Sequence, residues 1–335
     1  MVSNYMIDTI PCFDIKYKYI RLNLYSKRIQ KYILNNLFKY EELTHFNCEK
    51  SNLSKLPSSL ALLKSLTHLD CSWNRISEIG DLPNSLENLY CSRNRIKKLD
   101  NLPSSLIHLT CSYNKLIKLY NLPNTLRTLI SNKCELKKIS NLPRSIEYLS
   151  VMNNKIKKLS NLPNSLISLY CGYNELTEIT LPSSLKSFCC YNNQLTKILK
   201  LPDTLCYFSC AYNNFTYLPE LPNTLNSLNC ANNKLLELPD IPYSLKYLFW
   251  NDNCLVLNYK IDEINSHLLE ENQVIELIKH INKTNLEYKI NKKIKLLNRT
   301  LLLEWSAIIC LNPKRIERLL ESNQISFYDG SFDTI

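Results

Sequence analysis

Units of about 20 residues that replace one another almost letter for letter constrain this chain more than any other feature. DLPNSLENLYCSRNRIKKLD (81–100) and NLPSSLIHLTCSYNKLIKLY (101–120) share their leucines, proline, cysteine and asparagine, and the same frame returns at 141–160 and 161–180. The common pattern is L-x-x-L-x-C-x-x-N-x-L-x-x-L-x-x-L-P. About eleven units start at Leu43, Leu66, Leu86, Leu106, Leu126, Ile146, Leu166, Leu185, Leu205, Leu225 and Leu245. The asparagine recurs at Asn74, Asn94, Asn114, Asn154, Asn174, Asn193, Asn213, Asn233 and Asn253, with Ser51 and Cys134 in the remaining places. A unit this short cannot bury its own apolar side, so it must cover that side on its neighbours in a stack.

The fixed positions say how one unit is folded. Turned inward, Leu86, Leu89, Cys91, Asn94, Ile96 and Leu99 make one layer of core. The alternation Leu89-x-Cys91 has the period of a short strand, and stacked units would pair such strands in parallel about 4.8 Å apart. An inward asparagine is expected to satisfy peptide groups where the chain leaves the strand. A thiol or a hydroxyl can do part of this, which accounts for Cys134 and Ser51. The Leu-Pro pair fixes an extended return segment that needs no sheet hydrogen bond.

The pattern resembles the leucine-rich repeat family, in the short class with an L-P-x-x-L linker found in some bacterial effectors and giant-virus proteins. The resemblance spans roughly residues 43–257. It implies an α/β repeat solenoid, a right-handed superhelix with a parallel concave β-sheet and a helical cap at each end. The expected divisions are an N-terminal cap over 1–42, repeats over 43–257 and a C-terminal cap region over 258–335. In the first, Ile29, Tyr32, Ile33, Leu37 and Phe38 fall at helical spacing. In the last, apolar stripes such as Ile261, Ile264 and Leu268, or Ile290, Ile294 and Leu297, predict helices. Leu22 to Cys48 also resembles an F-box through Ile33, Leu34, Leu37 and Leu43, although Leu24 is followed by Tyr25 rather than proline. That resemblance implies an alternative role as the substrate-recognition subunit of a ubiquitin ligase.

Composition removes several chemistries. The chain has 3 glycines, isolated at Gly80, Gly172 and Gly330, so it has no phosphate-cradling loop. Eight of its 14 cysteines (Cys48, Cys71, Cys91, Cys111, Cys171, Cys190, Cys210 and Cys230) share one inward position with Val151 and Trp250. An interchange with valine marks small buried thiols, and no Cys-x-x-Cys suggests zinc. The five histidines form no His-Glu-x-x-His. Bacterial effectors with this repeat class often carry a ubiquitin-ligase domain whose nucleophile is the cysteine of Cys-x-Asp, but here Cys310 precedes Leu311-Asn312. No enzyme, cofactor or metal is expected. The N-terminus has no apolar run of signal-peptide length and no 18-residue apolar stretch occurs, so the expectation is a cytoplasmic protein without a membrane span, in a host cytosol if viral or an effector.

Two surfaces are candidates for binding. The outward positions beside the strand core carry His68, Trp73, Tyr90, Arg93 and Tyr113, then Tyr148, Tyr170, Tyr173 and Tyr191, then Tyr207, Tyr212 and Tyr247. Tyrosine, tryptophan and arginine give large contact area at small rotamer-entropy cost, so this concave aromatic face is expected to hold a protein partner. The second surface is a stripe of Lys97, Lys98, Lys118, Lys137, Lys138, Lys157 and Lys158 in a chain of net charge +11. It would suit a nucleic acid or an anionic surface through counterion release. It lacks interleaved aromatics, so a solvated flank is the expectation and nucleic acid is not the expected partner.

Overall fold

The computed structural model describes residues 18–255 apart from 25 and 140, together with 279–290 and 293. The stripes at 261–268 and 294–301, Cys12 and Cys310 lie outside the described residues; 279–290 are helical. The repeats lie within the first of two units, Met1–Ile281 and Asn282–Ile335.

Among the described residues, twelve three-residue strands form one parallel sheet whose order follows the chain, from Tyr19–Arg21 and His45–Asn47 to Tyr247–Phe249. Each repeat contributes one strand, and the register keeps like against like: His68 faces Asn88, Asn88 faces His108, and His108 faces Thr128. The unit at 166–184 is one residue short, yet Ser168 still pairs with Ser187. The loss falls in the return segment, where the left-handed Asn161 (φ 56°) has no counterpart between Thr180 and Leu181.

Leu66, Leu69, Cys71 and Ile76 are fully buried, as are their counterparts one repeat on, Leu86, Leu89, Cys91 and Ile96. Each leucine so buried contributes about 2 kcal/mol of transfer free energy. In three repeats phenylalanine replaces the strand leucine (Phe46, Phe188 and Phe208), and Phe188 stacks on Phe208 with ring centroids 5.6 Å apart. The return segment closes on itself before each strand: the Pro83 carbonyl accepts the Leu86 N–H at 3.1 Å, and Pro103 accepts that of Leu106 likewise.

The N-terminal segment differs from a cap made of helices. Tyr19–Arg21, exposed–buried–exposed, pairs with His45–Asn47 and adds a strand in front of the first repeat. An aromatic and a β-branched residue in succession suit a pleated edge. Helix α1, Lys27–Asn35, follows, with Ile29 and Ile33 buried, and Leu37 is buried in the next turn. Phe38 is exposed.

Candidate functional site

The sheet presents its solvent face through residues such as His68 and Asp70, on either side of a buried leucine. What aims the other side chains is the turn that ends each strand. Asn94 Nδ2 donates to the carbonyls of Cys71 (2.9 Å) and Cys91 (3.2 Å), while its Oδ1 accepts the Ile76 N–H at 2.9 Å. Asn114 repeats this with Cys91, Cys111 and Ile96, and Asn154 with Ser131, Val151 and Leu136. One carboxamide thus bridges two coils and pairs peptide groups of both at the turn. At Cys134 the thiol donates weakly to the Cys111 carbonyl at 3.5 Å.

The residue before each ladder position is not strand, as the sequence suggests, but left-handed. Trp73 (φ 57°), Arg93 (55°), Tyr113 (56°), Lys133 (50°), Tyr173 (53°) and Tyr212 (55°) all adopt it. Their N–H groups still donate across the stack, that of Arg93 to the Ser112 carbonyl at 2.8 Å. Stacked in register, these side chains form a column beside the strands.

The predicted aromatic residues fall into two groups along the sheet. In the first, Arg93 lies between Trp73 and Tyr113, its guanidinium carbon 4.0 Å from each ring centroid. Lys50 covers the outer face of Trp73 at 5.3 Å and Lys133 that of Tyr113 at 5.1 Å. The two lysines were not among the predicted residues, although each stands just before a ladder position, Ser51 or Cys134, and so in the same column. Tyr90 is exposed nearby, and His68 stacks on His45 at 4.0 Å while its Nε2 meets Asn88 Nδ2 at 3.0 Å. Partial burial, with His45 next in weight, holds the His68 imidazole below its usual value.

In the second group, Tyr148 and Tyr170 have centroids 5.4 Å apart, and Tyr170 Oη lies 3.2 Å from Ser187 Oγ. Tyr173 meets Tyr191 edge-on at 4.8 Å. Gly172 makes room for this pair, since a Cβ there would stand 2.7 Å from the Tyr191 ring. Tyr207, Tyr212 and Tyr247 are open to solvent, the last two 56% and 61% exposed. Burial raises the phenols of Tyr148, Tyr191 and Tyr207.

The lysine stripe does stack, with Lys118 in register against Lys138 in a two-strand pairing on the flank. Acids interrupt its charge: Lys98 pairs with Asp100 at 2.8 Å, Lys157 with Glu175 at 3.9 Å, and Lys158 with Glu178. Asp100 also accepts the Tyr120 hydroxyl at 2.7 Å, and Lys98, then Tyr120, hold its carboxyl below the usual range. Lys97 and Lys137 are exposed on the same flank. Among the described residues no three metal-ligating side chains come together, and no helix is long and apolar enough to cross a membrane.

One strand per coil, leucine layers and an asparagine ladder make the chain a leucine-rich-repeat protein, as its solved relatives in structure also are. YopM from Yersinia enterocolitica WA-314 superposes with a TM-score of 0.62 at 33% identity, over 64% of this chain and 48% of that one. InlJ from Listeria monocytogenes, whose functional domain includes a cysteine ladder, aligns at 28% identity and a TM-score of 0.54, over 65% and 50%. A leucine-rich-repeat protein of Leptospira interrogans shares the fold at 20% identity and a TM-score of 0.51, over 73% and 72%. The chain therefore spans about half the length of the YopM and InlJ chains. No protein-family model and no curated protein matches it.

Proposed function

We propose that this chain is a non-catalytic interaction module that holds a protein partner on the solvent face of its sheet, in a cytosol. The observation that carries this reading is the backbone under the aromatics. A left-handed conformation costs a bulky residue about 1 kcal/mol, and asparagine tolerates it best after glycine. Asn153, Asn192 and Asn232 occupy the same column as Trp73, Tyr113, Tyr173 and Tyr212. Large rings thus stand, half exposed, where a smaller residue would be less strained. The gain that offsets this strain is contact with something outside the chain, because rings of this kind dominate binding energy where they are buried by a partner. The cytosolic placement rests on the buried, unpaired thiols.

The F-box alternative draws no support from this segment. Leu22 to Cys48 has one α-helix among its described residues, and its strand His45–Asn47 is already part of the sheet.

The test replaces three exposed tyrosines by residues that neighbouring repeats carry in the same columns: Tyr207→Ser, Tyr212→Asn and Tyr247→Ser. Proteins retained by the wild-type chain in affinity purification should be lost, while the melting temperature stays within about 2 °C or rises. Unchanged retention would show that this face is not the docking surface.

A further inference from the structure

The two halves of the sheet face differ in chemistry. From Tyr148 to Phe249, the strand, turn and column residues are tyrosine, serine, asparagine and small or apolar side chains without a charge, while the first five repeats carry Lys50, Arg93 and Lys133 in one column. Among the described residues no carboxylate pairs with Arg93 or Lys133; Lys50 meets Glu49 at 2.9 Å. Asp70, an acid on the same part of the face, is occupied by the Ser72 N–H and the Asn47 amide.

We propose that the column Lys50–Trp73–Arg93–Tyr113–Lys133 captures an acidic, extended peptide segment of a protein partner. This rests on the reading of the sheet face as a docking surface and names the chemistry of its first half. Both faces of the Arg93 guanidinium are covered by rings, so only its N–H edge points to a ligand, and that edge matches a carboxylate in plane. The sandwich and the left-handed backbone fix the group in advance, so little rotamer freedom is lost on binding. Rungs stand about 4.8 Å apart, which spaces the three cations by about 10 Å, close to three residues of an extended chain. Acidic side chains at every third residue of a peptide laid along the stack reach all three. A nucleic acid fits less well. Cations cover Trp73 on both faces and Tyr113 on both faces, leaving neither ring a face on which a base could stack.

The experiment measures fluorescence anisotropy of the full chain with a labelled ten-residue peptide of glycine and serine carrying Glu at every third position. Its Gln counterpart and a labelled dodecathymidylate serve as the other arms. The Glu peptide should bind and weaken as salt rises, and Arg93→Gln and, outside the sandwich, Lys133→Gln should each lower its affinity by roughly fivefold or more. Tyr212→Asn should leave it unchanged, so that loss of partner capture by the tyrosine variants and loss of acid binding by the cation variants report separately. Circular dichroism of Lys133→Gln guards against a folding defect. The proposal is overturned by a Gln peptide bound as tightly as the Glu peptide, by affinity indifferent to both cation variants, or by an oligonucleotide bound more tightly and released by the same variants.

Discussion

Asn114 donates to two carbonyls of successive coils and accepts a third group's N–H, all of them buried. Alanine there would strand the Ile96 N–H and leave the Cys91 carbonyl to Asn94 alone and the Cys111 carbonyl to the weak Cys134 thiol, at a cost of about 2 kcal/mol. Chemical denaturation of Asn114→Ala should show that loss as a lower midpoint. The reverse substitution occurs in the native chain, where Cys134 holds the ladder position with a long thiol contact to Cys111 and leaves the Leu116 N–H facing sulfur. Cys134→Asn restores a strong acceptor for that amide and two strong donors, and should raise stability by about 1 kcal/mol in the same assay. A destabilised Cys134→Asn would mean that this coil has settled around the thiol.

At the scale of the element, the thiol column links the fold to pH. Burial pushes Cys111 and Cys230 up to about 12, and raises Cys48, Cys91, Cys171, Cys190 and Cys210. An unfolded thiol gives up its proton near pH 8.5. Above that value the unfolded state loses protons that the folded state keeps, so stability is intact below about pH 8.5 and falls as pH rises toward 12. Urea midpoints at pH 7 and pH 10 should diverge in the wild type, and diverge less in a Cys111→Ala, Cys230→Ala variant. The column and the asparagine ladder were both legible in the sequence, because a 20-residue period overlays like positions and the interchange of Cys with Val151 marks burial. A second ladder follows the same period. From the third repeat on, the hydroxyl just before the repeat's first core residue, as in Ser105, Thr125 and Ser145, donates to the carbonyl of the previous one, Leu86, Leu106 and Leu126, at 2.6–2.8 Å. The left-handed column was not legible. Trp73, Arg93 and Tyr113 are residues a strand would welcome, and only the turn imposed by the neighbouring asparagine sets their backbone apart. The strand at Tyr19–Arg21 escaped for a related reason, since it lies outside the repeat and has no like position to be overlaid on.

Over the whole stack, a solenoid's stability is a sum over coils and the interfaces between them, so one weak interface limits how far cooperative opening spreads. Two columns falter together in the middle: Ser131 interrupts the thiols, and Cys134 the asparagines. This fault lies at the boundary between the cation-bearing repeats and the tyrosine-bearing ones. Hydrogen exchange offers a direct reading, because an amide is protected to the extent that its local opening is costly. The Leu116 N–H, which faces sulfur, should exchange faster than Ile96 and Leu136, whose N–H groups meet carboxamides at 2.9 and 3.1 Å. In Cys134→Asn the three should converge, and protection should extend across the boundary into both halves. If Leu116 is as protected as its neighbours in the wild type, the leucine layers alone carry the coupling between coils and the polar ladder contributes only to each turn.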